Sequence, residues 1–280
     1  MRGWASSNTY SWQTQASDTG SINITGEVKD SKGQTASRTI SVSVINPTVK
    51  DVLQKVADNY SKIKDFKADM TLSSTLNGAA FGDIQYCRYY FKAPNKEKTE
   101  TFTSQQRATK NDIVIVNGST MSLINPIQNI KQQVDLLADI GVDAGQFNQA
   151  DIYNNLPIFL SRHTVTIDYA NSDLKNMLIV ITATPNVALN TYDKLGYLID
   201  YSKGIISKYY IYHKNDAGEV KLIQTLNTIE TIQIPNGAWL QTKMTKVPVL
   251  SSGNLITTNT YTNLQANCGL TDQDFDPNKQ

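Results

Sequence analysis

Residues 48–76 read TVKDVLQKVADNYSKIKDFKADMTLSSTL, and two hydrophobic periods follow one another in this stretch. Across residues 49–63, apolar side chains recur at spacings of three and four, which predicts an amphipathic helix with Thr48 as its N-cap. Across residues 66–72, apolar and polar side chains alternate, which predicts a strand with one buried face. A helix that leads directly into such a strand indicates that the helix packs on a sheet.

Alternating segments of the same kind, separated by turn residues such as Asn77-Gly78 and Asn117-Gly118, occupy most of the remaining sequence. Because no regular alternation of strand and helix appears, the pattern predicts an α+β protein with one large antiparallel sheet. The strand at residues 96–103 is charged on alternate positions, so we expect it to be solvated on both faces or to lie at a sheet edge. The other predicted strands are residues 84–93, 113–116, 121–124, 164–169, 177–184, 197–200, 206–213, 220–231, 239–247 and 256–264.

Two stretches between the predicted strands have helical spacing, residues 126–139 and residues 144–160. Pro157 makes the last turn of the second helix unfavourable. A curved sheet with helices over its concave face can enclose an apolar cavity, although the same side chains can also fill an ordinary core. The apolar stripes are Ile127, Ile130, Val134, Leu137 and Ile140 in the first helix, and Phe147, Ile152, Tyr153, Leu156 and Phe159 in the second.

Residues 1–46 have a different character, because they contain short β segments and no helical period. Residues 21–29 and 35–45 alternate on either side of a turn at residues 30–34, which predicts a hairpin, and Pro47 ends the segment. The segment resembles the C-terminal part of a bacterial immunoglobulin-like or PKD-type extracellular module. That resemblance implies that the chain is a fragment of a longer exported protein. The alternative is a β extension that belongs to the main domain.

Composition and charge narrow the classes of function. Lys and Arg number 26 and Asp and Glu number 25, a net charge of +1, which argues against broad binding of nucleic acid. No apolar run reaches about 18 residues, so no transmembrane helix is predicted. The first residues lack the apolar core of a secretory signal peptide. The two cysteines, Cys87 and Cys268, either form one long-range disulfide or are two separate thiols.

The sequence contains few of the motifs that are typical of enzymes. The chain has no Gly-x-Ser-x-Gly elbow and no P-loop, and its two histidines, His163 and His213, have no spacing that would hold zinc together with a cysteine. A nucleophile pair of Cys87 with either histidine has no local support. We therefore predict a protein that is not an enzyme and that holds no metal ion and no cofactor.

Five segments in order carry a second resemblance. They are residues 51–70 (a helix and a lysine-rich bend into a strand), residues 82–100 (a strand, an aromatic-x-x-Pro turn and a charged strand), and residues 198–218, 236–244 and 264–275. Together they resemble the outer-membrane lipoprotein-sorting proteins of the LolA/LolB-like family. The resemblance covers residues 48–277, so we expect a partial immunoglobulin-like module at 1–46 and a LolA/LolB-like half-barrel domain at 47–280.

The resemblance implies a curved antiparallel sheet, an incomplete β-barrel, that is lidded by helices and binds acyl chains between sheet and lid. It also implies that Leu53, Val56 and Tyr60 pack under the sheet. The family usually has an arginine after the proline turn, where this chain has Lys96 and Lys98, and lysine lacks the planar fork of arginine. This difference favours a tethered lipid-binding or sensing domain over a lipoprotein shuttle. The residues expected to bind the acyl chain are Phe91, Lys96, Lys98, Ile127, Ile130, Val134, Leu137, Phe147 and Leu156.

Two functions follow from these observations. The first is a carrier or sensor in the periplasm or at the cell surface that binds acyl chains of lipids or lipoproteins, with an envelope protein as a second candidate partner. The second is a structural or adhesive extracellular protein, in which the half-barrel is a packed scaffold that the N-terminal module presents.

Overall fold

The structure, a computed structural model, describes residues 20–44, 46–135, 152, 156–188, 192–250 and 253–280. None of the helices described there is long and apolar enough to cross a membrane. The α-helices are α1 (Val49–Ser61) and α2 (Leu156–Arg162). The strands are β1 (Gly20–Lys29), β2 (Thr35–Val44), β3 (Asp65–Leu76), β4 (Ala79–Ala80), β5 (Gln85–Lys92), β6 (Lys96–Phe102), β7 (Lys110–Asn117), β8 (Thr120–Asn125), β9 (Ile130–Asp135), β10 (His163–Asp173), β11 (Leu178–Pro185), β12 (Lys194–Asp200), β13 (Ile205–Lys214), β14 (Val220–Gln233), β15 (Trp239–Pro248) and β16 (Leu255–Ala266).

Helix α1 begins where the sequence predicts, after Thr48. The Asp51 backbone N–H donates to the Thr48 hydroxyl over 3.2 Å, and the Thr48 N–H donates to the Asp51 carboxylate over 2.8 Å, which makes a reciprocal capping box. Val52, Leu53 and Val56 form a fully buried stripe one helical turn apart. The predicted helix and the packing of this stripe against the sheet are both confirmed.

Fourteen strands form one antiparallel sheet. Strand β3 enters in the middle of the sheet and pairs with β5 and with the last strand, β16, so that Met70 lies opposite both Cys87 and Tyr261. In the described residues the end strands β9 and β10 do not pair with each other, so the sheet remains open. The α+β class and the curved, open sheet with helices on one face are confirmed. The order across the sheet is β10, β11, β12, β13, β14, β15, β16, β3, β5, β6, β7, β8, β9, with β4 attached to β3.

Both helices pack on one face of strands β10–β13, which we call the helix-bearing face, and the opposite face is the outer face. Strand register aligns Ile167, Ile181, Tyr197 and Tyr209 side by side on the helix-bearing face. Beyond this core, Tyr60 of α1 packs against a second cluster near β14 and β15. The buried residues of the main core are Val52, Leu53, Val56, Ile152, Leu156, Phe159, Ile179, Ile181, Ala183, Tyr192, Leu195, Tyr197, Ile199 and Ile206.

The helix predicted at residues 126–139 is wrong over the described part of that range. Ile130–Asp135 forms strand β9 beside β8, after a tight turn in which Asn129 adopts a positive φ of 53°. Ile130 and Val134 are four residues apart, and four is an even number as well as a helical spacing. They therefore share one face of a strand just as they would share one face of a helix.

The second predicted helix, residues 144–160, is described only at Ile152 and from Leu156 onward. Helix α2 runs from Leu156 to Arg162, so it extends past the predicted end. Pro157 is the second described residue of α2, and the helix continues past it to Arg162. The proline therefore does not end this helical segment.

Strands β1 and β2 form a separate two-stranded antiparallel sheet, which confirms the predicted hairpin. At its turn the Asp30 N–H donates to the Gln34 carbonyl over 2.9 Å, and Gly33 has a φ of 84°. Residues 1–19, the first part of the predicted immunoglobulin-like segment, lie outside the described residues. The immunoglobulin-like identity of residues 1–46 therefore stays a prediction.

Strand β6 is an interior strand, not the solvated or edge strand that its charges suggest, because it pairs with both β5 and β7. The reason is the chain that follows β16, residues 267–280, which we call the C-terminal segment. Its Phe275 is fully buried on the outer face against Ile113 and Ile115. On that face Lys96 and Lys98 contact the C-terminal segment, and Glu100 pairs with Lys98 and Lys110.

Candidate functional site

The helix-bearing face continues past the helices onto β16, β3, β5 and β6, where it carries a group of aromatic rings. Phe66 on β3 lies opposite Phe91 on β5. The ring centroid of Phe66 is 5.5 Å from that of Phe91 and also 5.5 Å from that of Tyr89 on β5. The ring of Tyr261 on β16 meets that of Tyr89 edge-on at 5.7 Å. The rings share one face because side chains alternate along each strand and register partners point to the same side.

Glu97 brings a carboxylate to the same place. It lies opposite Phe91 in the β5–β6 register, and its carboxylate accepts a hydrogen bond from the Tyr89 hydroxyl. Strands β16, β3, β5 and β6 are described over their full length, and within them Glu97 is the one carboxylate on the helix-bearing face. We call Phe66, Tyr89, Phe91, Glu97 and Tyr261 the aromatic–carboxylate cluster; each of them is half-buried and keeps some accessible surface.

The electrostatics of Glu97 differ from those of an ordinary surface carboxylate. Burial raises its pKa, and the hydrogen bond from Tyr89 offsets only part of that shift. Burial also raises the pKa values of Tyr89 and Tyr261, and the nearby charge of Glu97 adds to both shifts. Among the described residues, no lysine or arginine forms an ion pair with Glu97. The cluster can therefore accept hydrogen bonds and attract a cation, but it contains no activated nucleophile.

An apolar surface begins beside Glu97 on the next strand. Val116 of β7 is its register partner, and the face continues with Val114 and, on β8, with Met121 and Leu123. These four side chains are half-exposed, whereas Ile113 and Ile115 on the outer face of the same strand are fully buried. We call Val114, Val116, Met121, Leu123 and Val134 the apolar strip; Val134 of β9 belongs to it because it lies opposite Met121.

Of the two lysines and the phenylalanine predicted to bind the acyl chain, only Phe91 lies on the helix-bearing face. Lys96 and Lys98 lie on the outer face, where they contact the C-terminal segment. The Lys96 ammonium is 2.9 Å from the Asp272 carboxylate. The Lys98 ammonium is buried, 3.4 Å from the Glu100 carboxylate. Both lysines thus hold the C-terminal segment and are separated by the sheet from the surface that they were expected to line.

The predicted lid residues are dispersed. Ile127 lies in the β8–β9 turn with 58% of its surface exposed, and Ile130 and Val134 lie on β9. Leu156 belongs to α2 and is buried in the core. The other two predicted lid residues, Leu137 and Phe147, lie outside the described residues. A role of these side chains in binding an acyl chain stays a prediction.

Glu97, Tyr89 and Tyr261 were not among the residues predicted from the sequence to bind a ligand. One signal was available, because the alternation of β6 separates Lys96 and Lys98 from Glu97, which faces the apolar side of the sheet. The position of Tyr261 could not be predicted from the neighbouring residues in the sequence, because it depends on the pairing of β16 with β3.

The residues considered for catalysis do not assemble into a site. Both ring nitrogens of His163 are engaged in the core, 3.0 Å from the Phe159 carbonyl and 2.8 Å from the Tyr192 hydroxyl. Burial lowers the pKa of His163, which keeps it neutral near pH 7. Cys87 and Cys268 are both free thiols in the structure, so the disulfide alternative is not realised there. Burial raises the pKa of Cys87, which makes it a poorer nucleophile.

Comparison with known proteins finds no matching protein family and no matching curated protein. Comparison with solved structures finds several with the same fold. A DUF1329 family protein from Desulfovibrio piger has a TM-score of 0.60 at 14% identity, over 83% of this chain and 99% of its own. A LolA superfamily protein from Nitrosomonas europaea has a TM-score of 0.57 at 15% identity, over 84% of this chain and 100% of its own.

A third solved structure is a putative outer membrane lipoprotein-sorting protein domain from Vibrio parahaemolyticus. It has a TM-score of 0.56 at 14% identity, and the match covers 81% of this chain and 96% of that one. These likenesses extend over nearly the whole length of the relatives. The expected LolA-like architecture is thereby confirmed: this chain has the fold of LolA-superfamily lipoprotein-sorting proteins and of DUF1329 proteins.

Proposed function

We propose that this protein binds the acyl chain of a lipid or lipoprotein on the helix-bearing face of its sheet, and that it does so without catalysing a reaction. The apolar strip carries the proposal. Its valine, leucine and methionine side chains are half-exposed, while the outer face of β7 is closed by the C-terminal segment. An apolar surface of this kind, on the helix-bearing face of the sheet, is suited to a hydrocarbon ligand.

The energy available to such a ligand is sufficient for stable binding. Each buried methylene group contributes about 0.8 kcal/mol, so an acyl chain of about 16 carbons can gain on the order of 10 kcal/mol before ordering costs are subtracted. Val116, Met121 and Leu123 offer apolar contact across neighbouring strands, which lie roughly 4.8 Å apart. Methionine adapts well to a ligand of variable shape.

We infer that the protein acts outside the cytoplasm, in the periplasm or at the cell surface. Two observations support this location: the shared fold with a putative outer membrane lipoprotein-sorting domain, and the resemblance of residues 1–46 to an extracellular module. On this account residues 1–46 are a separate module that tethers the domain at 47–280. An envelope protein is then a further partner to be sought.

Displacement of a fluorescent fatty acid tests the proposal. Leu123→Gln places an amide on the apolar strip, and we expect it to weaken binding about tenfold because it removes apolar contact. Leu198→Gln is the matched control, since Leu198 is a half-buried leucine on the outer face of β12. Equal affinities for the two variants would contradict binding at the apolar strip.

The alternative, a structural or adhesive protein, predicts a different outcome. In that case the helix-bearing face is an ordinary packed surface, and neither the unchanged protein nor the two variants would bind the fluorescent fatty acid. The hairpin β1–β2, which exposes 69% of Val28 and 49% of Ile40, would then be the first surface to test for adhesion.

A further inference from the structure

We propose that the aromatic–carboxylate cluster binds an organic ammonium group, the cationic headgroup of an amphiphile whose hydrocarbon chain lies on the apolar strip. This inference rests on the proposed function, because it adds the chemical class of the headgroup to the binding of the chain.

Within the described residues, Glu97 lacks the cationic partner that a carboxylate in such surroundings normally has. Glu100, three residues later on the outer face, lies 2.8 Å from the Lys110 ammonium and 3.4 Å from that of Lys98. Glu97 has only the Tyr89 hydroxyl, and no cation of the described residues contacts it. A charge that is taken out of water without an ion pair costs free energy, so a ligand that supplies the missing positive charge gains the corresponding stabilisation.

The rings around Glu97 favour a particular kind of cation. The ring centroids of Phe66, Tyr89, Phe91 and Tyr261 form a chain with steps of 5.5 to 5.7 Å. Aromatic faces attract alkylammonium groups, which are weakly hydrated and can pack their carbon atoms against the rings. A carboxylate with several rings therefore combines charge with apolar contact, and both suit an ammonium group that carries alkyl substituents.

A metal ion fits the same surroundings poorly. Calcium takes about six to eight oxygen ligands, and magnesium requires near-octahedral oxygen coordination. Glu97 offers one carboxylate, and no group of three or more His, Cys, Asp or Glu side chains that could hold a metal occurs in the described part of the chain. The geometry thus selects an organic cation over an inorganic one.

The position of the cluster explains why the ligand should be an amphiphile. Glu97 lies directly opposite Val116, the first member of the apolar strip, in the β6–β7 register. A headgroup at Glu97 would therefore leave its chain free to cross β7 and β8 toward Met121 and Val134. The half-buried state of the cluster residues leaves the headgroup a route of entry.

Three ligands with the same chain test the inference: dodecyltrimethylammonium, dodecanoate and dodecyl maltoside, each titrated below its micelle concentration by calorimetry. We expect the cationic ligand to bind about tenfold more tightly than the other two. Glu97→Gln keeps the shape of the side chain and should abolish this preference while the neutral ligand binds as before. Glu230→Gln is the control, because it removes an exposed carboxylate on β14 and changes the net charge by the same amount.

The outcomes separate the two proposals. If all three ligands bind with equal affinity, or if Glu97→Gln retains the preference, the headgroup inference is wrong and acyl-chain binding stands. If none of the ligands binds the folded, unchanged protein, acyl-chain binding itself fails and the headgroup inference falls with it. A loss of preference in Glu230→Gln as great as in Glu97→Gln would show a general charge effect and would also overturn the inference.

Discussion

Glu97 and Glu100 lie three residues apart on strand β6, on opposite faces of the sheet, and their pKa values shift in opposite directions. Burial raises the pKa of Glu97, which has no cationic partner among the described residues. Burial alone would also raise the pKa of Glu100, but the hydrogen bond from Lys110 and the charge of Lys98 lower it overall. One strand thus carries a structural carboxylate on its outer face and an uncompensated one on its helix-bearing face.

Replacing the uncompensated carboxylate of Glu97 is expected to increase the stability of the folded protein, by an amount that depends on pH. The ordinary pKa of Glu97 is 4.5, and the folded value is higher, so the folded state keeps this proton where the unfolded chain has lost it. Stability then falls as the pH rises from the ordinary value through the folded one. We expect Glu97→Gln to be more stable than the unchanged protein at about pH 8 and equal to it at about pH 4. Urea unfolding at both pH values measures this, and a variant that is destabilised at the higher pH would contradict it.

Replacing Glu100 is expected to lower the stability of the folded protein, which is the opposite of the effect expected at Glu97. Its folded pKa is lowered from 4.5, so its contribution to stability is present above that value and is lost as the pH falls through the folded one. Glu100→Gln leaves the buried Lys98 without its carboxylate, which should cost about 3 kcal/mol near neutral pH. Urea unfolding should show this loss near pH 7 and a smaller one in acid. A loss that does not depend on pH would show that the ion pair is not its cause.

The turn between β12 and β13 predicts a steric effect at a single glycine. Gly204 has a φ of 67°, and a Cβ atom there would collide with the backbone carbonyl oxygen of Lys55 in α1. Gly218, in the β13–β14 turn, has a φ of 78° and nothing within 4 Å of its missing Cβ, so it provides the matched control. Gly218→Ala should cost only the strain of a positive φ, about 1 kcal/mol. Gly204→Ala should cost clearly more in thermal unfolding, and equal losses would mean that α1 does not pack there.

The cysteines predict two thiols of different accessibility. Cys268 is exposed and Cys87 is buried on β5, and neither forms a disulfide in the structure. A thiol reagent should therefore modify one cysteine in the native protein and two after denaturation without reductant. Mass spectrometry of the modified chain counts them directly. No reactive thiol in the denatured, unreduced protein would show that the two cysteines are bridged.

Local patterns were enough to predict α1, the hairpin strands and the α+β class. Each of these depends on periodicity or on turn residues within about 15 positions, as Thr48 and Asn117-Gly118 illustrate. The same local reasoning failed for β9, because the four-residue spacing of Ile130 and Val134 fits both a helix and a strand. Periodicity alone could not decide between them.

The candidate site required contacts between distant parts of the chain. Lys98 is buried because the C-terminal segment covers it, and Gln280 at the very end accepts a hydrogen bond from it over 3.1 Å. Tyr261 reaches Tyr89 because β16 pairs with β3. Neither contact can be predicted from a short window of sequence, so the outer-face position of the two lysines and the aromatic–carboxylate cluster were not predicted.

The central claim is that the helix-bearing face binds an acyl chain, and native mass spectrometry of the gently purified protein tests it most directly. The account predicts a mass above that of the bare chain, with an extractable acyl lipid that rebinds the stripped protein. The mass of the bare chain, unchanged after incubation with fatty acid, lipopeptide and dodecyltrimethylammonium, would contradict the account and favour a structural scaffold.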